Sequence, residues 1–205
     1  MKKRICTLLL ALCLTLGLLP AAAQAAGDGS GTFDTVRWTL DADGGLTVSG
    51  TGDLPDSAFA GRTDIVTVTF TGQVARIGRS AFAGCTQLRR VDGFGAVTCV
   101  MSQAFAGCTA LTELAVPGTV TEIGTGAFSA CTGLTAVTLA PGVRSLGAYA
   151  FAACTALRRI DLPDGMTLLG SGLFSGCTAL TELPLPDDVA WVEPRLCENC
   201  TALQN

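Results

Sequence analysis

The sequence predicts a solenoid in which short β-strands and helical turns stack in 23-residue units over residues 57–205, behind an N-terminal β-hairpin cap at 26–56. Three observations predict it. Cys85, Cys108, Cys131, Cys154, Cys177 and Cys200 are each 23 residues apart, and Phe59, Phe82, Phe105, Phe128, Phe151 and Phe174 keep that spacing three residues ahead of the cysteine position. Apolar columns run in the same register through Ile65, Leu88, Leu111, Leu134, Leu157, Leu180 and Leu203, and through Val68, Val91, Leu114, Val137, Ile160 and Leu183. Another passes through Val74, Val97, Val120, Val143, Met166 and Val189.

Residues 1–25 read as a secretory signal peptide. Met1-Lys2-Lys3-Arg4 is a basic start, the apolar core runs from Thr7 to Leu19, and Ala21-Ala22-Ala23-Gln24-Ala25 supplies an A-x-A ending. The apolar run is short for a membrane anchor, which needs about 20 residues, and a Gly/Asp/Ser-rich stretch follows it at once. Leu12 before Cys13 is too large for a lipoprotein processing site. No membrane span is expected after signal removal, and the protein is expected to be secreted or held at the cell surface.

Residues 36–52 form the next element, two alternating strands around the turn Asp43-Gly44-Gly45. Their expected role is to cover the first repeat, with Trp38 packed inward.

Each repeat then reads as strand, turn, second short strand and helical turn. In Leu111-Thr-Glu-Leu114-Ala-Val116-Pro117 the apolar positions alternate until the proline. Val120-Thr-Glu-Ile123 is a second extended piece, and Ala127 and Cys131, four apart with Phe128 between them, fit one helical turn. One such unit cannot bury its apolar residues alone, so neighbours share a continuous core. Strands stack about 4.8 Å apart while helical turns need more room, which predicts a horseshoe or short arc with the strands inside. The seventh unit is incomplete, about six and a half in all, and stops before the strand that should follow Leu203. The uncovered apolar end is expected to self-associate.

The unit Ile123-Gly124-x-x-Ala127-Phe128-x-x-Cys131-x-x-Leu134-x-x-Val137-x-Leu139 resembles the bacterial BspA-like leucine-rich repeat, and the likeness extends over roughly residues 57–205. The segment Val36 to Gly52 is similar to the hairpin that often precedes such repeats. The resemblance implies a leucine-rich repeat solenoid on a surface protein that adheres to host matrix or cell-surface proteins or to other bacteria. Several positions depart from the pattern. Arg62 stands in the first cysteine position, Met101 and Glu193 replace the repeat glycine, Phe94 and Ala140 replace the proline, and Cys197 replaces the last Phe.

Composition removes whole classes of chemistry. The 205 residues include no His, so no histidine base, Ser-His-Asp triad or His-containing zinc site exists. Lys2 and Lys3 are the only lysines, which leaves no phosphate-loop or Schiff-base lysine in the mature chain. Loss of residues 1–25 leaves ten basic residues, all Arg, against 17 acidic, a net charge of −7. Nucleic acid is not an expected partner of such a chain. No carboxylate pair is assignable to acid–base work, and Gly170-Ser171-Gly172 with Gly176 lacks the G-x-G-x-x-G spacing. We expect no enzyme, no cofactor and no metal.

Eight cysteines remain after signal removal, an even count that invites a disulfide framework in a secreted chain. The 23-residue column instead favours buried free thiols at Cys85, Cys108, Cys131, Cys154, Cys177 and Cys200. Cys99 aligns with Arg76, Glu122 and Ser145, so it is expected to be exposed and reactive. Cys197-Glu198-Asn199-Cys200 falls on inward repeat positions, which accounts for it without redox or metal chemistry.

The candidate partner-binding face is the solvent side of the first strand in each unit: Arg89, Arg90, Asp92, Thr112, Glu113, Thr135, Thr138, Arg158, Arg159, Asp161, Thr181 and Glu182. The same lattice reads either as solvated surface ion pairs or as a contact for a protein or glycan on a host or bacterial surface. The expected function is a non-enzymatic interaction module. The alternative is an accessory or structural segment of a larger secreted or cell-wall protein.

Overall fold

The computed structural model describes residues 29–187, 189 and 192–204, so the expected signal segment lies outside the described residues. The described residues open with three antiparallel strands: β1 (Gly29–Phe33), β2 (Val36–Leu40) and β3 (Gly45–Leu54). Asp41 closes the β2–β3 turn, its carboxylate accepting from the Asp43 and Gly45 N–H groups at 3.0 and 2.7 Å. From there the strands alternate between two parallel stacks. On one side lie β4 (Thr67–Phe70) and β6 (Arg90–Gly93), paired with each other, and then β8 (Glu113–Val116), β10 (Ala136–Leu139) and β12 (Arg159–Asp161), among the described residues a separate three-stranded ladder with no strand pairing to β6. On the other lie β5 (Gln73–Ile77), β7 (Cys99–Val100), β9 (Glu122–Ile123), β11 (Ser145–Leu146) and β13 (Leu168–Leu169).

The expected hairpin cap at 26–56 is not a separate unit. β3 is ten residues long, and its first half pairs with β4 (Gly45↔Thr67 to Val48↔Phe70) while its second half pairs with β5 (Thr51↔Gln73 to Leu54↔Ile77). That strand is therefore itself the first coil, and both stacks start from it. Trp38 is half-buried, edge-on to Phe59 at 5.6 Å, and Phe33 meets the same ring at 5.7 Å.

The apolar columns are buried as the period requires. Ile65, Leu88, Leu111, Leu134, Leu157 and Leu180 have no exposed surface, and the six Phe rings from Phe59 to Phe174 stack with centroids 5.0–6.0 Å apart. Phe94, the departure from proline, is buried too. It lies parallel to Phe70 at 6.4 Å, filling room beside Gly93, which stands where β8 and β10 carry Val116 and Leu139. Ala140 also replaces a proline, and its N–H donates to Val116 O at 2.9 Å, a bond that proline cannot make.

The expected helical turns are absent: among the described residues there is no helix. In every unit the residues two before and two after the Phe position have positive φ, as at Ser80 (51°) and Gly84 (72°), Gln103 (58°) and Gly107 (72°), and Tyr149 (57°) and Ala153 (58°). A left-handed residue at each place stops a helix after one turn. It also turns alternate N–H groups toward the next coil: Phe82, Phe105 and Phe128 donate to Ala104, Ala127 and Ala150 carbonyls at 2.7–2.8 Å. The intervening N–H groups bond back three residues, as Ala83 does to Ser80 at 3.0 Å. A third hydrogen-bonded ladder therefore runs along the solenoid where a helix column was expected. Its 5.0–6.0 Å ring spacing exceeds the strand spacing of about 4.8 Å only modestly, so the width difference behind the expected horseshoe is smaller than helical turns would give.

Candidate functional site

The strands β8, β10 and β12 are short and strictly alternating, burying Leu114, Val116, Val137, Leu139 and Ile160 and leaving the residues between them in solvent. Parallel register lines these outward residues up in rows. Glu113, Ala136 and Arg159 form one row, continued by the bridge from Arg159 to Glu182, and Ala115, Thr138 and Asp161 form the next. A third row precedes the strands, where the Thr112 N–H donates to Arg89 O at 3.4 Å, Thr135 to Thr112 at 2.9 Å and Thr181 to Arg158 at 3.0 Å. Threonine hydroxyls reinforce it, Thr135 Oγ1 donating to Thr112 O at 3.0 Å and Thr181 Oγ1 to Arg158 O at 3.2 Å. All twelve candidate residues are exposed on this one side of the coils.

Their charges are not equally engaged. Arg90 pairs with Asp92 on its own strand, and Arg159 pairs with both Asp161, at 3.0 Å, and Glu182 of the next unit. Asp161 and Glu182 hold the Arg159 guanidinium above its ordinary pKa. Among the described residues, Arg89, Arg158 and Glu113 have no ion-pair partner. The sequence carries a readable sign of this pattern that residue-by-residue inspection overlooks. Arg89-Arg90-Val91-Asp92 and Arg158-Arg159-Ile160-Asp161 repeat one R-R-x-D motif in the same register, and in each the second Arg faces the Asp two residues on.

The cysteine column is buried and reduced from Cys85 to Cys177, but it is more than a file of small apolar groups. Each thiol donates to the carbonyl of the Phe one unit back: Cys85 to Phe59 at 3.1 Å, Cys108 to Phe82 at 3.2 Å, Cys131 to Phe105 at 3.3 Å, and so on to Cys200 and Phe174 at 3.1 Å. That carbonyl already accepts the N–H of the residue in the cysteine position of its own unit, Arg62 at Phe59 and a cysteine elsewhere, so the thiol takes its second lone pair. Burial pushes Cys85 and Cys131 up to about 12, which keeps them protonated donors at neutral pH. Twenty-three residues before Phe59 stands Val36 rather than a Phe, and in that first coil Arg62 occupies the cysteine position. Its Nε donates to Asp64 at 2.9 Å while its guanidinium lies 5.6 Å from the Trp38 ring centre.

Cys99 departs from expectation. It is half-buried rather than exposed, its thiol donates to Met101 Sδ at 3.5 Å, and burial followed by the Glu122 charge raises its pKa. Met101, in the repeat-glycine position, also accepts from Arg76 at 3.1 Å, and the two contacts hold it over the thiol. Cys197 and Cys200 pack against the core from the last described coil and are half-buried there. Among the described residues no group of three or more His, Cys, Asp or Glu is placed to hold a metal ion, and no helix is long and apolar enough to cross a membrane.

Parallel coils with a leucine column, a phenylalanine spine and an exposed strand face define the leucine-rich repeat class. The BspA type leucine-rich repeat region matches in six copies over residues 52–144 and 98–205, and the chain belongs to that family. It is similar to a leucine-rich repeat protein from Bacteroides ovatus ATCC 8483, with 31% identity and a TM-score of 0.64 over 70% of this chain and 38% of that one. The T. pallidum leucine-rich repeat protein TpLRR matches at 25% identity and a TM-score of 0.51, covering 75% of this chain and 92% of its own. The pneumococcal vaccine antigen PcpA shares the fold, with 17% identity, a TM-score of 0.52, and 78% and 49% coverage. The chain thus spans well under half the length of the Bacteroides ovatus protein. No curated protein matches the sequence. Family and fold together make this a leucine-rich repeat module.

Proposed function

We propose that the chain is a non-enzymatic, extracytoplasmic adhesion module that contacts proteins on host matrix, host cells or other bacteria through the strand face. One observation carries the reading. The exposed polar residues stand in rows over a backbone bonded coil to coil, so a partner meets them at a fixed spacing. The basic and apolar start at residues 1–25 supports export. A second reading, a repeat segment serving a larger surface protein, has in its favour that the chain covers 38% of the Bacteroides ovatus relative, and against it that the chain covers 92% of TpLRR.

The test is capture of partners by the purified protein from extracellular-matrix proteins and bacterial surface extracts. Substituting Arg158→Ala together with Arg159→Ala should weaken whatever is captured by at least about tenfold, as loss of interface Arg residues does. Arg79→Ala, off this face, should change nothing. Binding that survives the double substitution and is lost in Arg79→Ala would place the contact on the other side of the coils.

A further inference from the structure

From the strand-face reading just given, we infer the chemistry of the partner: an extended peptide segment with two carboxylates at positions i and i+4, laid along the solenoid axis with one acid on Arg89 and the other on Arg158. The two R-R-x-D motifs divide their own arginines between two jobs. The second Arg of each is taken by the acid two residues on, Arg90 by Asp92 at 3.3 Å and Arg159 by Asp161 at 3.0 Å. The first Arg of each, Arg89 and Arg158, is exposed, and among the described residues neither has an acidic partner. A free guanidinium fork beside neutralised neighbours is a ready site for a carboxylate.

Both free arginines lie in one row, Arg89, Thr112, Thr135, Arg158 and Thr181, joined by backbone bonds from Thr112 to Arg89, from Thr135 to Thr112 and from Thr181 to Arg158. Three coil steps at about 4.8 Å separate them by about 14 Å. An extended peptide advances about 3.4 Å per residue and shows every second side chain on one face, so residues i and i+4 meet that span with both acids pointing the same way. Position i+2 then falls over the two threonines. Glu113, unpaired among the described residues, adjoins that stretch and disfavours a third acid there.

Charge also separates this partner from a polyanion. Arg89, Arg90, Arg158 and Arg159 are balanced on the face by Asp92, Glu113, Asp161 and Glu182, so a densely charged chain gains no net attraction. Two isolated acids at the right spacing do.

A fluorescent peptide series in a Thr/Ser background, with two Glu at positions i and i+2, i+4 or i+6, tests the proposal against the purified protein at low salt. The four-residue spacing should bind at least about fivefold more tightly than the others, and a third Glu at the central position should weaken it. Arg89→Ala or Arg158→Ala should each remove that preference. Arg89→Glu with Arg158→Glu should transfer it to a peptide carrying two Lys at the same spacing, a gain that no folding defect can imitate. A flat series, binding indifferent to both arginines, or a sulfated glycan that outcompetes every peptide overturns the proposal. If the series is flat while captured surface proteins still depend on Arg159 and Thr138, only the peptide assignment falls. If capture is equally indifferent to this face, the strand-face reading falls with it.

Discussion

The turn side and the strand face of each coil follow the same 23-residue period, yet they differ in what one unit allows the next. On the turn side the sequence hardly varies: five successive Phe rings from Phe82 to Phe174 stack at 5.0–6.0 Å, and five buried thiols behind them donate to Phe carbonyls. Along one strand row the same period carries Glu113, Ala136, Arg159 and Glu182. The difference is one of closure. A side chain with a neighbour above and below at van der Waals distance has one acceptable shape, whereas an outward residue meets only water. Regularity within the repeats marks the structural side, and irregularity marks the side free to acquire a partner.

The sharpest way to break this comparison is to open the spine. Phe128 lies between Phe105 at 5.2 Å and Phe151 at 5.5 Å with no exposed surface. Phe128→Ala should cost about 3–5 kcal/mol in chemical denaturation, because both neighbouring rings lose their contact and the coils are too tightly bonded to collapse. A loss near 1 kcal/mol would mean that the spine can close over the gap and does not set the repeat.

Substitution of Cys131 separates the two descriptions of the thiol column. Its Sγ–H reaches Phe105 O at 3.3 Å inside an apolar file. If donation matters, Cys131→Ser keeps a donor near the carbonyl and should cost less than Cys131→Ala, which loses about 1–2 kcal/mol in bond and packing together. If the site demands only an apolar filler, the order reverses. Thiol labelling of the native protein should be slow at Cys85, Cys108 and Cys131, whose pKa burial raises, and also at Cys99, whose pKa is raised beneath Met101.

These residues also mark how far the sequence could be read. The unit length, the buried columns and the exposure of the strand face were legible, since each follows from a spacing of 2 or of 23. The turn column was not, because Ala127 and Cys131, four apart, fit a helical turn and a pair of left-handed residues equally well. Ser80, Gln103 and Tyr149 give no compositional sign of positive φ. Nor could Cys99 be placed, since its cover is Met101, a side chain specific to one unit. On the candidate site, exposure follows from the strand alternation, whereas engagement is signalled only by the repeated R-R-x-D motif. That Arg159 is paired and Arg158 is not depends on which way each side chain leaves the backbone.

The first coil sharpens the comparison from its exception, Arg62. Its hydrogen bond to Asp64 holds that carboxyl below its ordinary 3.8. A lowered folded-state pKa contributes stability that is complete above the unfolded value and disappears as pH falls through the folded one. Asp64→Asn should therefore destabilise by about 1 kcal/mol at pH 7, with the gap from wild type closing as pH drops below about 3.8, read as thermal midpoints across a pH series. A gap that stays constant into acid would assign the loss to packing beside Trp38.

The smallest effect on stability is expected where the effect on binding is greatest. Arg158 projects from the strand face without an ion-pair partner among the described residues, and Arg159 holds Asp161 and Glu182 only in full solvent contact. Exposed pairs of this kind add little, because water and salt screen them and ordering long side chains costs entropy. Arg158→Ala with Arg159→Ala should leave the unfolding midpoint indistinguishable from wild type while partner capture falls by at least about tenfold. Phe128→Ala should do the reverse under mild conditions, lowering the midpoint while the folded fraction still binds through an unaltered face. If the double Arg variant instead unfolds early, the outward rows are part of what joins the coils, and the separation of a closed structural side from an open binding side does not hold.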